Sequence, residues 1–248
     1  MPIDVDGAYE GQAVFIAGGA PSLMEEPLEL LTQPGVSVLA LNNTASILPP
    51  GAVDFWLGCD KPVCYSDRIL LDPKITKFAL ISRRDYPVNG RVWKQAPSTY
   101  FFGTRENFTV ENFLRTDRDF VWWKSTFYVA LQIVHRLGFR KAYLIGCAFR
   151  LDGEKDYSYD VKLTDGERDW NKRVYNKTVD RMRQLKPTFD KVGFEVISAT
   201  PDSLLNDIYP VVKFEEAVKD ILSGFPEEYE LEKCVHSSAL KKQEKDNG

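Results

Sequence analysis

The stretch FIAGGAPSL, Phe15–Leu23, decides how this chain folds. The apolar run Ala13–Ala17 (AVFIA) has the length and composition of a buried strand. Two glycines, an alanine, a proline and a serine follow at once. Glycines between a strand and a helix let backbone amides approach an anionic ligand, and the helix N-terminus adds positive potential. Ser22 has Glu25 three residues on, the capping-box spacing, so Ser22–Leu31 reads as a helix with Ser22 as its N-cap. The turn is not GxGxxG, and no Gly-Lys-Ser/Thr follows to make a Walker loop. On spacing alone, a phosphate cradle and a plain strand-to-helix bend stand side by side.

The same alternation continues outward from this unit. Further strands are predicted over Val36–Leu41, Val53–Leu57, Lys77–Ile81 and Thr99–Phe102. The segment 103–123 is charged and aromatic with no clean period, and reads as an irregular excursion near a cleft. Ser125–Leu137 carries Phe127, Ala130, Leu131, Val134 and Leu137 at helical spacing, and Gly138 ends it as a C′ glycine. A strand at Ala142–Ile145, a long helix at Asp169–Val192, a strand at Phe194–Ile197 and a helix at Phe214–Leu222 complete the pattern.

Strands alternating with helices imply an α/β fold. The expectation is a Rossmann-like, mostly parallel sheet with helices on both faces and a small irregular insertion. Residues 1–225 read as one nucleotide-binding domain, and 226–248 as a flexible charged tail.

Composition narrows the function. With 248 residues, 44% of them hydrophobic, the chain can bury a sizeable core. A net charge of −4 argues against a nucleic-acid scaffold. Cys59, Cys64, Cys147 and Cys234 show no zinc-like spacing, and Cys147 reads as a small buried filler. The cysteine usage fits a reducing cytoplasm. No apolar run approaches the length of a membrane span, and the acidic N-terminus is unlike a signal peptide.

Ligands of parallel sheets sit beyond the carboxyl ends of the strands. The residues there are Gly18, Gly19 and Ser22, then Asn42 and Asn43, then Asp60, then Arg83 and Arg84, then Gly146 to Arg150. Asn42 and Asn43 can hydrogen-bond a ribose or base edge, or form an Asx turn. Asp60 can hold a hydroxyl or a metal ion, or stand as a lone surface carboxylate. Arg83, Arg84 and Arg150 suit a leaving phosphate by bidentate pairing, or stand as solvated charges. Trp122 and Trp123 can stack on a base or sugar, or seal the sheet edge.

Taken in order, FIAGGAPSL, VSVLALNN, VDFWLGCD, STFYVALQIVHRLGFRKAYLIGCAF and TPDSLLND resemble a known superfamily over roughly residues 12–210. It comprises the bacterial sialyltransferases of the GT42 group and the related MptE-like group, which includes archaeal hydroxymethylpterin diphosphokinases. The resemblance implies that Gly18, Gly19 and Ser22 contact the nucleotide phosphate, and that Asn42 and the pair Ser125-Thr126 contact the nucleotide. It places Tyr157 and Tyr159, in a shifted register, nearest to phosphate-binding tyrosines, with Arg150 where one of those would stand. Asp60 matches an Asp common after the third strand of the MptE-like group.

Two positions depart from the pattern. LTDGERDWNKR (Leu163–Arg173) holds no His where the sialyltransferases keep a catalytic one. Ala148 stands where both groups usually carry Asp. Asp165 and Glu167 fall nearest the missing His and are the favoured bases, since a carboxylate can take a hydroxyl proton when burial raises its pKa. His135, with Leu131 and Phe139 at i−4 and i+4, is either a third candidate or a residue packed at the rim of the core.

The expectation is a nucleotide-sugar-dependent transferase acting on a hydroxyl-bearing acceptor. The donor is a co-substrate and no metal ion is required. The alternatives are a diphosphokinase using Mg²⁺ and ATP, and a nucleotide-binding protein without catalysis.

Overall fold

Along the first strand, β1 (Ala13–Ala17), side chains alternate between two cores. Val14 and Ile16 enter one, and Phe15 the other together with Ala17. The period of two repeats in β2 (Val38–Leu41), β3 (Phe55–Gly58) and β4 (Thr76–Leu80). Leu39, Phe55, Leu57, Phe78 and Leu80 face the first core, and Val38, Ala40, Trp56 and Ala79 the second. A sheet buried on both faces needs apolar side chains at nearly every position, which is why these strands read as hydrophobic runs; the exception is the fully buried Lys77 in β4, whose ammonium donates to the carbonyls of Asp72, Ile75 and Pro97.

The computed structural model describes residues 6–60, 65–88, 90–105, 109–115, 119–151 and 155–224. A short hairpin, β5 (Pro87–Val88) with β6 (Arg91–Val92), stands apart from the main sheet. The remaining strands are β7 (Thr99–Arg105), β8 (Asp119–Val121), β9 (Lys141–Ile145) and β10 (Glu195–Ser198). Eight strands form one sheet in the order β10-β9-β1-β2-β3-β4-β7-β8. Every pair in it is parallel.

The chain steps outward from β1 to β8, then returns to lay β9 on the other flank of β1. The return is made by helix α2 (Thr126–Arg136), while α1 (Asp67–Leu70) links β3 to β4. Helix α3 (Asp165–Val192) joins β9 to β10, and α4 (Phe214–Ser223) follows β10. Helices α2 and α3 cover the first core; α1 and α4 cover the second. The expected α/β, Rossmann-like architecture with helices on both faces is therefore the architecture found.

Three local expectations are corrected. The helix over Ser22–Leu31 is instead two 3₁₀ turns, Pro21–Glu25 and Leu28–Thr32. Pro27 lacks an amide and drives Glu26 out of the helical region, to φ −86° and ψ 149°. Ala20, not Ser22, takes the N-cap position. The excursion at 103–123 contains the end of β7 and the sheet's edge strand β8. Three residues are too few to show a period. Helix α3 begins at Asp165 rather than Asp169, because Thr164 and Glu167 form a reciprocal capping box.

The edge strand has an uncommon fastening. Gln132, fully buried on α2, accepts from the Val121 amide at 2.9 Å and donates to the Val121 carbonyl at 2.9 Å. A side-chain amide thus takes the place of a further strand at this position. The predicted tail 226–248, Cys64 and Cys234 lie outside the described residues.

Candidate functional site

The reversal between β1 and β9 opens a crevice at the carboxyl end of the sheet, as expected where strand order changes direction. Over it lies a cleft of about 520 Å³. All the residues assigned to nucleotide binding except Ser22 line it: Gly18, Gly19, Asn42, Asp60, Ser125, Thr126, Arg150 and Tyr157.

The glycine turn does two jobs. The Gly18 amide donates to Ile145 O at 2.8 Å, and the Ala20 amide to Gly146 O at 2.8 Å. These amides therefore tie β1 to the end of β9. A Cβ on Gly18 would stand 2.5 Å from Gly146 O and 2.8 Å from Cys147 Sγ. A Cβ on Gly146 would meet Gly18 O in return, and Gly146 has φ +59°. The two glycines are required by this crossing. Gly19 then serves the cleft wall. Its carbonyl accepts from the Ser158 amide at 2.9 Å, and a Cβ there would sit 2.9 Å from Tyr159 Cε1.

Ser158 pinned to Gly19 sets the tyrosines on either side. The rings of Tyr157 and Tyr159 stack with centroids 5.1 Å apart and planes 3° from parallel. Tyr157 Oη accepts from Asn171 Nδ2 at 3.0 Å and lies 3.4 Å from Tyr175 Oη. Burial raises the pKa of Tyr157, Tyr159 and Tyr175, so all three stay protonated and can donate.

On the β2–β3 side, Asn42 takes a left-handed φ of 47°. Its carbonyl accepts from Trp56 Nε1 at 2.8 Å, which holds that conformation. Its Nδ2 donates to Asp60 Oδ2 at 2.8 Å and lies 3.4 Å from Thr126 Oγ1. Arg68 on α1 donates to the carbonyls of Ala45 and Leu48, both at 3.0 Å, and so anchors the turn that carries Asn42. Asp60 is surrounded by protein yet reaches solvent through the cleft. Burial raises its pKa, while the Arg83 charge and the Asn42 hydrogen bond pull it back. Cys59 and Cys147 are buried, and burial pushes the Cys147 thiol up to about 12, so both behave as packing residues.

The N-terminus of α2 opens on the same cleft. Its first amides have no partner within the helix. Ser125 occupies the N-cap position but its side chain makes no cap bond. Trp123 and Lys124 before it both adopt left-handed φ, 45° and 59°. Strain of this kind in non-glycine residues collects at binding sites. Trp123 packs inward, stacked on Phe113 at 5.6 Å, with Arg181 4.3 Å over its ring. Lys124 lines the cleft, and Arg150 reaches it from beyond β9 while donating to Asp202 O at 3.3 Å.

The other site candidates lie around this centre. Ser22 Oγ donates to Asp202 Oδ1 at 3.0 Å, on the outer side of the turn. Arg83 packs over Tyr86 at 5.0 Å, and Arg84 is exposed. Asp165, Glu167 and His135 do not line the cleft. Asp165 borders an adjoining hollow behind the stacked tyrosines. Glu167 accepts from the Thr164 amide at 2.9 Å and hydroxyl at 2.7 Å, which lower its pKa. His135 stands at the far end of α2, its ring edge-on to Phe194 at 5.3 Å. Burial, with the nearby Arg140 charge, lowers its pKa to about 4.

One wall went unrecognised in the sequence. Trp170, Asn171, Val174 and Tyr175 line the cleft from α3, and Trp170 is 50% exposed. Lys124 Nζ and Arg173 Cζ each stand 5.8 Å from the Trp170 ring. The signal available was their spacing, i, i+1, i+4 and i+5, which puts all four on one side of a helix.

No family model and no curated protein matches this chain. Its structure is similar to that of the sialyltransferase CstII from Campylobacter jejuni in complex with a substrate analogue, cytidine-5′-monophosphate. The TM-score is 0.44 at 16% identity, over 82% of this chain and 85% of that one. A second similar structure is the sialyltransferase CST-II in complex with trisaccharide acceptor and CMP, with TM-score 0.44, 17% identity, and coverage of 81% and 86%. Likeness of this degree leaves the site to be read from its own residues. Among the described residues, no helix is long and apolar enough to cross a membrane, and no three His, Cys, Asp or Glu side chains gather where they could hold a metal ion.

Proposed function

We propose that this chain binds a nucleotide-activated sugar in the cleft and transfers the sugar to a hydroxyl-bearing acceptor. One observation carries the reading. Gly18, Gly19, Asn42, Asp60, Ser125, Thr126, Arg150 and Tyr157 are scattered over the sequence, yet they wall a single cleft at the β1/β9 reversal.

The anionic part of the donor belongs at the N-terminus of α2, where unpaired amides and the helix dipole favour negative charge. Arg150 and Lys124 add positive charge there, and the protonated phenols of Tyr157 and Tyr159 can donate to a leaving phosphate. The exposed Trp170 ring offers the acceptor a flat apolar surface at the cleft mouth. Asp165, Glu167 and His135, the expected bases, stand outside the cleft.

The test is a thermal-shift screen of the whole chain against CMP-, UDP- and GDP-sugars, ATP, and ATP with Mg²⁺. A nucleotide-sugar is expected to raise the melting temperature without a divalent ion, and Thr126→Ala to reduce the shift. Stabilisation by ATP only in the presence of Mg²⁺ would favour diphosphokinase chemistry instead. No shift with any compound would sink the nucleotide reading altogether. A shift with no sugar transferred to any hydroxyl acceptor would leave a binding protein.

A further inference from the structure

We infer that Trp170, with Lys124 and Arg173 beside its ring, forms a subsite at the cleft mouth for an acidic saccharide, a sugar ring that carries a carboxylate or a phosphate. The inference rests on the nucleotide-sugar reading above and names the class of the hydroxyl-bearing acceptor.

Trp170 stands on the second turn of α3. It lines the cleft, and half of its surface meets solvent. A single exposed apolar side chain is ordinary. An indole left open at the rim of a cleft is more, because it offers a broad flat face beside the place where a ligand sits. The same wall continues inward through Asn171, Val174 and Tyr175, so a sugar ring resting on Trp170 stands next to the space given to the donor.

The surroundings of the ring are cationic. Lys124 Nζ, from the turn before α2, and Arg173 Cζ, one turn further along α3, each stand 5.8 Å from it. Both residues are exposed, and neither has a carboxylate within ion-pair distance among the described residues. Glu167, three residues before Trp170 on α3, is engaged by the Thr164 amide and hydroxyl. Asp169 lies about 100° round the helix from Trp170. Contact with an exposed ring offsets only a small part of a cation's charge. Lys124 lines the cleft and Arg173 does not, so positive charge extends from the cleft onto its rim.

A neutral sugar gains only the ring contact here. An acidic sugar gains that contact and a charge-assisted hydrogen bond, which the Arg173 guanidinium can make in bidentate form. The chemistry that fits is therefore a ring with an apolar face and an anionic substituent.

The experiment is NMR titration of the whole chain, without donor, against matched saccharides. Methyl β-glucoside is compared with methyl β-glucuronide and glucose 6-phosphate, and methyl β-galactoside with methyl β-galacturonide. At low salt the acidic members are expected to bind about fivefold more tightly than the neutral ones, and the advantage is expected to shrink as salt is added. A preference for glucuronide over glucose 6-phosphate, or the reverse, identifies the anionic group. Trp170→Ala is expected to weaken neutral and acidic members alike. Arg173→Gln keeps a long polar side chain and removes the charge. It is expected to bring the acidic-to-neutral ratio close to one and to leave the neutral members unchanged.

Equal binding of neutral and acidic members by wild type overturns the inference. So does an acidic-to-neutral ratio that survives in Arg173→Gln, or an absence of binding by every saccharide. In each of these cases a thermal shift with a nucleotide-sugar leaves the donor reading intact. Acidic saccharides that bind to a chain no nucleotide-sugar stabilises overturn the donor reading, and with it the role of acceptor.

Discussion

The cleft has two unlike ends. On one side it carries Arg150, which follows β9, and Lys124, both of which favour negative charge. At the β2/β3 end stands the Asp60 carboxylate, bonded to Asn42 Nδ2, with Thr126 at the head of α2 3.4 Å from the same nitrogen. Neither end alone names a ligand. Together they are in keeping with the nucleotide-sugar proposed above, which is anionic in one part and rich in hydroxyls in another.

The largest expected effect bears on whether the first end exists at all. Gly18→Ala puts a methyl group 2.5 Å from Gly146 O, a backbone atom that cannot swing aside. A loss of about 3 kcal/mol in stability is expected by urea denaturation. A change below about 0.5 kcal/mol would mean that β1 and β9 are not joined as described.

Next in size is the charge contrast. Arg150→Ala is expected to weaken binding of whichever nucleotide stabilises the protein by about tenfold and to flatten its salt dependence. Asn42→Gly should leave the salt dependence as it was, because it removes an acceptor and no charge. Equal salt responses from the two variants would erase the distinction between the ends.

A smaller effect concerns the far end of α2. His135 has a pKa of about 4 in the fold, against 6.5 as the ordinary value. Its folded pKa is depressed, so the unfolded chain binds the proton more readily between those values. The stability contributed by neutral His135 is present above pH 6.5 and is lost as pH falls toward 4. The melting temperature of wild type should therefore fall more steeply over that window than that of His135→Phe. Parallel curves would show that the ring titrates normally.

The smallest effect expected is none. Asp165 lies behind the tyrosine wall, so Asp165→Asn should leave the dissociation constant of the bound nucleotide unchanged. A several-fold change would extend the cleft into the adjoining hollow.

Much of the fold was legible because burial on both faces of a parallel sheet writes itself as apolar runs, such as Ala13–Ala17 and Ala142–Ile145. The strand ends were legible for the same reason, and with them Gly18, Asn42 and Asp60. What stayed hidden depended on contacts distant in sequence. That the Gly18 amide would be taken by Ile145, or that Asn42 would reach Asp60, is not written near any of those residues. The capping box at Thr164 and Glu167 is local and could have been read. Glu167 spends its carboxylate on the Thr164 amide and hydroxyl. Pro27 likewise carried a plain warning against one continuous helix through Leu31.

Gln132 carries a consequence for solubility. A parallel sheet ends in strands whose outer amides and carbonyls invite another chain to pair with them. On β8 the amide and carbonyl of Val121 are both occupied by one buried glutamine. An incoming strand would have to displace a side chain anchored a third time, to the Tyr128 carbonyl at 2.9 Å. At Val121 the edge is closed from inside the molecule, and two residues earlier on the same strand the exposed carboxylate of Asp119 adds a charge that discourages pairing.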